Sequence, residues 1–459
     1  MVLPHFPVRL IILLKKNKFL FQISILYDII TKEIIAGIFH DEVNAVITLS
    51  KENITDYLKE KMPYLNFSKP LIISAIGEGS LEEDGDGYIN FVYRVSDGKW
   101  KIILKQARKD GRVAALTDMS MDRAALEYDY MKLGHVIVPE YLPKLYFYDE
   151  ENLAFAVEDI SHLKIARFQL NKSIMFPKMA GQIADYLARM HFYTSDYYLD
   201  TDTFRKLQVR FCNSKMRTVF DDMAFMNRDV GDENGFGFEL DPDYADYTRD
   251  LVFDPRVVLE RYKLRELYMR KAEVLLHADF HTSNIFVDQE DLKVIDMEYA
   301  FFGPAAYDLG YLESHLLSQC VCAAFRPFDS EAERWTFVSY TLATMQHLFA
   351  EYCNVFFKCW NEDAKPVYQG VEGMQEYVRK QLLKDTIGFC ASSNIFRCAG
   401  GQNNYPEYDD LTDKTAKRNA TILSIMMDHQ MIISREKYAD VQEWIDELLT
   451  MLKEFRAKI

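Results

Sequence analysis

Residues 274–311 of this chain read VLLHADFHTSNIFVDQEDLKVIDMEYAFFGPAAYDLGY. Two short apolar runs, 285–287 and 292–295, stand between polar loops, and this pattern predicts two strands joined by a tight turn. The loops concentrate acids, histidines and an amide at the strand ends, where such residues usually serve a ligand. A carboxylate there can orient a hydroxyl group and accept its proton, while further carboxylate and amide oxygens suit magnesium. The stretch therefore favours a phosphotransferase site.

The candidate residues follow from that chemistry. Asp279 is the predicted catalytic residue, which orients the substrate hydroxyl and takes its proton. The predicted magnesium ligands are Asn284, Asp296 and Glu298. The spacing of His277 and His281 is not typical of a zinc site, because a loop lacks the helical face that zinc-binding pairs use; a role in bracing the loop is predicted instead. The alternative interpretation of the whole stretch is a β-hairpin with solvated acids.

The same stretch resembles a known family. HADFHTSNIFV followed by VIDMEYAFFGPAAYDLG is similar to the catalytic and metal loops of the methylthioribose kinases, which belong to a kinase-like group with the aminoglycoside and choline phosphotransferases. Asp296 and Glu298 form an Asp-x-Glu where a protein kinase has Asp-Phe-Gly. Matching pieces recur, loop by loop, from Asp84 to Gly400. The resemblance implies an α+β, two-lobed protein-kinase-like fold with a small antiparallel β-rich N-lobe and a large, mostly helical C-lobe.

The expected domain organisation has three parts. Residues 1–40 form an atypical N-terminal extension, with five Lys and Arg against two acids. Residues 41–160 form the N-lobe with the nucleotide-binding loop and the connector. Residues 161–459 form the helical C-lobe with the catalytic and metal loops.

Nucleotide binding is assigned mainly to the N-lobe. A glycine-rich loop lets backbone N–H groups approach phosphates, and DGDGYIN at 84–90 resembles the family's loop except that Tyr88 replaces an asparagine. Lys105 ends an apolar strand and matches the family's nucleotide lysine, and a helix predicted for 121–133 supplies Glu127 to pair with it. Backbone groups of the connector between the two lobes, at Glu158 and Asp159, are expected to bind the adenine edge. The predicted nucleotide-binding residues are Gly85, Gly87, Asn90, Lys105, Glu127, Glu158 and Asp159.

Two further residues are assigned by the resemblance. The family carries two adjacent arginines near substrate and phosphate, where this chain has Phe396 and then Arg397. Arg397, with Asp279, is therefore the predicted substrate-binding residue, since a guanidinium fork can hold a phosphoryl group or a sugar hydroxyl. The alternative for Arg397 is a surface helix charge. Asp308 is expected to hydrogen-bond the backbone of the catalytic loop and to do no chemistry.

The composition excludes several classes of function. The 54 Lys and Arg against 70 Asp and Glu give a formal charge of −16, which repels polyanions, so nucleic-acid binding is not expected. Seven scattered cysteines without paired knuckles predict reduced thiols in a cytoplasmic protein, not a disulfide framework or a zinc site. The apolar runs within residues 1–40 are too short to cross a bilayer, so no membrane association is expected.

The resemblance implies one reaction. The protein would transfer the γ-phosphate of ATP to the 1-hydroxyl of S-methyl-5-thioribose, a step in methionine salvage, with ATP and Mg2+ as cofactors and a homodimer as the assembly. Two alternatives stay open: a related phosphotransferase that acts on another small alcohol, such as an aminoglycoside or a choline-like amine, and a nucleotide-binding pseudokinase. The intact set of candidate residues speaks against a pseudokinase.

Overall fold

The computed structural model describes residues 47–77, 90–108, 120–225, 240–399 and 406–459. The predicted N-terminal extension, residues 1–40, lies outside these ranges. Gly85 and Gly87 of the glycine-rich loop lie outside them as well. The other candidate site residues all fall within the described parts of the chain.

An antiparallel sheet with the strand order β1-β2-β3-β5-β4 forms the smaller lobe. Its strands are β1 (Ile72–Ala75), β2 (Phe91–Ser96), β3 (Lys101–Gln106), β4 (Leu145–Asp149) and β5 (Ala154–Glu158). Successive side chains of a strand point to opposite faces of the sheet. Ile102 and Leu104 of β3 are therefore buried together in the core of this lobe, and Lys105 lies on the opposite face.

Two helices accompany this sheet. Helix α1 (Ile54–Lys61) buries Ile54 and Leu58 in the same apolar cluster as β3. Helix α2 (Arg123–Ile137) packs against β4 and β5. The sequence predicts this second helix over 121–133; the structure confirms it but extends its end to Ile137.

Most of the remaining chain is helical. Its helices are α3 (Ala166–Asn171), α4 (Met179–Tyr193), α5 (Thr201–Arg210), α6 (Ser214–Phe220), α7 (Ala245–Val252), α8 (Pro255–Arg270), α9 (Ala306–Phe325), α10 (Glu331–Asp363), α11 (Met374–Ala399), α12 (Lys414–Ser434) and α13 (Val441–Arg456). Helix α9 is buried on all sides and packs against α10, α11 and α12. An apolar helix buried all round is typical of the centre of a large core.

Five short strands support the stretch that carries the candidate site residues. They are β6 (Lys164–Ile165), β7 (Val274–Leu276), β8 (Ile285–Val287), β9 (Leu292–Val294) and β10 (Phe301–Gly303). The predicted hairpin is confirmed, because β8 pairs antiparallel with β9 and places Ile285 opposite Val294. This pairing brings the loop before β8 beside the segment after β9, so the two sets of polar residues lie at the same end of the hairpin.

The architecture confirms the predicted α+β fold, with a small antiparallel sheet in one lobe and a large helical second lobe. All seven cysteines are free, and six of them are buried. Within the described ranges, we find no helix that combines the length and the apolar character needed to cross a bilayer.

A buried acid in α9 gives a prediction about stability. Glu313 is fully buried, and neither of its carboxyl oxygens has a hydrogen-bond partner among the described residues. Burial raises the pKa of Glu313 well above its ordinary value of 4.5. Above that ordinary value the unfolded chain releases the proton while the folded chain retains it, so this group makes folding less favourable as the pH rises. The loss amounts to about 1.4 kcal/mol per pH unit until the folded-state pKa is reached.

Glu313→Gln is therefore expected to raise the melting temperature relative to the native chain more at pH 8 than at pH 5. Thermal unfolding of both proteins at the two pH values measures this difference, and Glu454→Gln, at an exposed position of α13, is the matched control. An equal difference between the Glu313 variant and the native chain at both pH values would show that Glu313 is not held protonated.

Candidate active site

The loop that carries Asp279 is held by a buried carboxylate. Asp308, in the first turn of α9, is fully buried. Its two oxygens accept hydrogen bonds from the backbone N–H groups of His277 at 2.8 Å and Ala278 at 2.9 Å. Ala278 has a φ of +69°, a conformation that residues with a side chain rarely adopt, and the two bonds stabilise it. The predicted contact between Asp308 and the catalytic loop is therefore present.

Two histidines also brace this loop. The buried ring of His277 places Nε2 at 2.9 Å from the carbonyl oxygen of Ile295, and its Nδ1 accepts from the N–H of Asp279 at 3.3 Å. Burial holds the pKa of His277 below its ordinary value, so the neutral ring donates from Nε2 and accepts at Nδ1. The Nε2 of His281 lies 3.4 Å from the carboxylate of Asp279. These contacts agree with the predicted bracing role.

The carboxylate of Asp279 has the charge state that its predicted role needs. Burial raises its pKa, whereas the nearby His281 lowers it. His277 and Arg397 lower it further, and the pKa lies below its ordinary value. The carboxylate is therefore ionised at neutral pH and can accept a hydrogen bond from a substrate hydroxyl.

Three carboxylates meet beside the segment that follows β9. Glu127 of α2 and Asp296 and Glu298 after β9 offer oxygen atoms that all lie within 4.8 Å of one another. Burial raises the pKa of both Glu127 and Glu298, and the negative charge of Asp296 raises it further. Asp296 also has a φ of +69°, a strained conformation of the kind found at ligand sites. A hard divalent cation would relieve this repulsion, so the donor set fits magnesium.

Lys105 connects two of these acids. Its Nζ lies 2.7 Å from the carboxylate of Glu127 and also contacts Asp296. The predicted pairing of Lys105 with Glu127 is therefore present. The ammonium group lies beside the acid cluster formed by Glu127, Asp296 and Glu298. A residue that binds nucleotide phosphates requires this position.

Asn90 and Arg123 hold Glu298, the third acid of the cluster. The sequence predicts a nucleotide contact for Asn90, but its Nδ2 donates to Glu298 Oε2 at 2.7 Å and its Oδ1 accepts from Arg123 Nε at 3.1 Å. Arg123 Nε also lies 3.3 Å from Glu298 Oε2. Arg123 is not among the site residues predicted from the sequence. Its position one helical turn before Glu127, on the same face of α2, is the signal that points to it.

Asn284 ties the two loops together. Its Nδ2 donates to the backbone carbonyl of Asp279 at 2.9 Å and lies 3.4 Å from the carboxylate of the same residue. The backbone carbonyl of Asn284 accepts from the N–H of Ile295, which directly precedes the Asp-x-Glu segment. The magnesium contact of Asn284 stays a prediction.

The connector residues are stabilised by local contacts. Glu158 ends β5, and its backbone N–H donates to the carbonyl of Lys144 at 2.8 Å. Asp159 accepts from the N–H of Ser161 at 2.9 Å and lies 3.4 Å from Arg94 Nε. The side chain of Asp159 thus fixes the shape of the connector, and adenine binding at Glu158 and Asp159 stays a prediction.

Arg397 lies near Asp279, the predicted catalytic residue. It is close to the end of α11, and its Nη1 donates to the hydroxyl of Tyr311 at 3.0 Å. Its charge lowers the pKa of Asp279, which places the two groups within electrostatic reach of each other. The ring of Tyr311 in turn packs edge-on against His281, with 6.1 Å between the ring centroids. The side chain of Phe396 lies outside what the structure describes.

Comparisons with known proteins show the family of this chain. Residues 80–328 match the Phosphotransferase enzyme family. The methylthioribose kinase of Geobacillus thermodenitrificans (strain NG80-2) is 30% identical over 366 residues, which are 79% of this chain and 89% of that protein. The methylthioribose kinase of Bacillus cereus (strain AH820) is 28% identical over 363 residues, 78% of this chain and 88% of that protein.

A solved choline kinase from Cryptosporidium parvum Iowa II shows a weaker likeness. It has 13% sequence identity and a TM-score of 0.41, with 89% of this chain and 97% of that chain covered. The family match spans the acid cluster and the catalytic loop, and the sequence similarity extends well beyond it. This chain belongs to the phosphotransferase enzyme family and, within it, to the family of the methylthioribose kinases.

Proposed function

We propose that this protein is an ATP-dependent kinase that phosphorylates the 1-hydroxyl of S-methyl-5-thioribose. The observation that carries this proposal is the 30% identity to a methylthioribose kinase across 79% of the chain. The braced, ionised Asp279 and the acid cluster support it, because phosphoryl transfer needs a group that orients the hydroxyl and a site that neutralises phosphate charge.

The proposed chemistry starts at Asp279. Its carboxylate accepts a hydrogen bond from the 1-hydroxyl and takes the proton as the oxygen attacks the γ-phosphorus of ATP. A bond forms between the 1-oxygen of the substrate and the γ-phosphorus, the bond from the γ-phosphorus to the bridging oxygen breaks, and ADP leaves. An anomeric hydroxyl is more acidic than an ordinary alcohol, so positioning by the rigid loop supplies much of the effect. Arg397, which donates to Tyr311, holds the substrate or the transferring group in this proposal.

The remaining site residues are proposed to hold the nucleotide and its metal. When bound, magnesium neutralises the charge of the phosphates. Asp296 and Glu298, with Asn284, hold the ion, and Lys105, positioned by Glu127, binds the phosphates. Gly85, Gly87 and Asn90 contact the phosphates from the glycine-rich loop, and Glu158 and Asp159 bind the adenine edge through their backbone.

A panel of candidate acceptors tests the substrate. The native protein with ATP and magnesium is expected to release ADP fastest with S-methyl-5-thioribose, compared in a coupled assay with choline, an aminoglycoside and ribose. ADP release with one of the other alcohols but none with S-methyl-5-thioribose would refute this substrate while leaving a kinase. No ADP release with any acceptor, despite ATP binding, would favour the pseudokinase.

Arg397→Ala is expected to lower kcat/KM for S-methyl-5-thioribose at least about tenfold, or ~1.4 kcal/mol. The guanidinium lies beside Tyr311 and within electrostatic reach of Asp279, so its loss removes a donor at the acceptor end of the site. Steady-state kinetics with the acceptor varied at saturating ATP measure the change. Arg379→Ala, at an exposed position earlier on the same helix, is the control. An unchanged kcat/KM would make Arg397 a structural residue.

The proposed assembly is a cytoplasmic homodimer, which rests on the family resemblance alone. Light scattering at micromolar protein is expected to give about twice the chain mass of 53.7 kDa. A mass equal to that of one chain would contradict the homodimer.

A further inference from the structure

We infer that Arg123 is a positioning residue that holds the metal-binding acid Glu298 through helix α2. This inference rests on the proposed magnesium site. Arg123 is the first residue of α2 and is fully buried. A buried guanidinium is costly unless its donors are engaged, and its contacts therefore show what the position is built to hold.

The donors of Arg123 have three destinations. Nε reaches the acid cluster, 3.1 Å from Asn90 Oδ1 and 3.3 Å from Glu298 Oε2. Nη1 donates to the carbonyl of Ser120 at 2.8 Å, and Nη2 donates to the carbonyl of Arg108 at 3.1 Å. One guanidinium thus joins Asn90, Arg108 and Ser120 to the acid cluster.

The contact with Glu298 is tightly defined. Glu298 is almost fully buried, and its Oε2 also accepts from Asn90 Nδ2 at 2.7 Å. Arg123 and Asn90 are hydrogen-bonded to each other, so the three side chains form a closed set. A planar guanidinium and an amide that both engage one carboxylate fix its orientation, which a metal ligand requires.

Helix α2 then controls both acids of the Asp-x-Glu segment. Arg123 and Glu127 lie one turn apart on the same face of the helix. Arg123 contacts Glu298 directly, whereas Glu127 holds Lys105, which contacts Asp296. A shift of α2 would therefore disturb both acids at once. Arg123 is the shorter of the two links, because no third residue stands between it and the acid.

The test measures binding rather than turnover. ATP is titrated into the native protein and into Arg123→Gln by calorimetry, over a series of magnesium concentrations and in EDTA, without an acceptor. The variant is expected to need at least about tenfold more magnesium for half-maximal enhancement of ATP binding, the size of effect found when the residue behind a metal ligand is lost. ATP affinity in EDTA is expected to change much less. A loss of ATP affinity that is equal with and without magnesium would overturn the inference, because the removal of a merely structural residue would weaken ATP binding under both conditions.

Arg210→Gln is the matched control. Arg210 of α5 pairs with Asp129 of α2 at 2.7 Å, so its loss also removes an ion pair of this helix but leaves Glu298 untouched. It is expected to leave the magnesium dependence unchanged. An equal shift in Arg210→Gln would assign the effect to a loosened helix and overturn the role of Arg123.

Two further variants keep the outcome decisive. If Arg123→Gln does not fold, as judged by circular dichroism, Arg123→Lys takes its place, because lysine keeps the charge but not the guanidinium fork. The double variant Arg123→Gln with Glu298→Gln is expected to need little more magnesium than Glu298→Gln alone. Fully additive shifts in the magnesium requirement would contradict action through Glu298. Asp296→Ala distinguishes a failure of the proposed metal site from a failure of the inference about Arg123. If Asp296→Ala and Arg123→Gln both leave the magnesium dependence unchanged, the proposed metal site fails. If only Asp296→Ala shifts the magnesium dependence, the metal site stands and the role of Arg123 is overturned.

Discussion

Asp279→Asn is expected to lower the turnover number for S-methyl-5-thioribose by at least about a hundredfold, with ATP binding preserved. Asparagine has the same shape as aspartate but cannot take the proton of the hydroxyl. The surrounding loop is held by Asp308 and His277 through backbone contacts that the substitution does not touch. The change should therefore remove the base and leave the site intact.

The measurement is steady-state ADP release together with calorimetric ATP binding. Asp291→Asn, in the exposed turn between β8 and β9, is the matched control and is expected to behave as the native protein. Near-normal turnover in Asp279→Asn would show that Asp279 is not the base. A loss of ATP affinity of the same size as the loss of turnover would instead indicate that the substitution disturbs the site where ATP binds.

Asp296→Ala is expected to raise the magnesium concentration for half-maximal activity at least about tenfold, because it removes a carboxylate oxygen that suits this ion. Glu298→Ala is expected to act in the same direction. Asn284→Ala should act less, since an amide carries no full charge. Asp296 also contacts Lys105, so part of its effect should appear as weaker ATP binding.

Magnesium titrations of activity at saturating ATP measure these shifts. Glu290→Ala removes an exposed acid of the same hairpin and is the control; its surface ion pair with Lys178 contributes little. Unchanged titration curves in Asp296→Ala, Glu298→Ala and Asn284→Ala would remove the proposed metal site altogether.

Local patterns in the sequence were sufficient for much of the site. The hairpin of β8 and β9 places Asn284 and Asp296 at one end because antiparallel pairing fixes which residues lie opposite each other. The alternation of β3 likewise separates Lys105 from the buried Leu104. Such positions depend on neighbours only a few residues away. Their chemistry can therefore be inferred before any lobe is packed.

Contacts between distant segments could not be inferred in this way. Asn90 bonds Glu298 across 208 residues of sequence, and the predicted nucleotide role gave no hint of that partner. Tyr311 receives its hydrogen bond from Arg397, which lies 86 residues further along the chain. These pairs exist only because segments far apart in the sequence pack together, and hydrophobic periodicity does not encode which polar groups then meet.

The sequence by itself determined the hairpin and the types of residue proposed to carry out phosphoryl transfer, since these follow from local periodicity and from motifs, and the resemblance that those motifs carry implied the two-lobed fold. Only the tertiary structure decided the left-handed conformation of Ala278, held by two hydrogen bonds from the backbone to Asp308, and the engagement of Arg123 with Glu298. The physical reason is burial. A strained backbone and a buried guanidinium are each stable only inside a particular packed environment, and that environment exists only after the chain has folded.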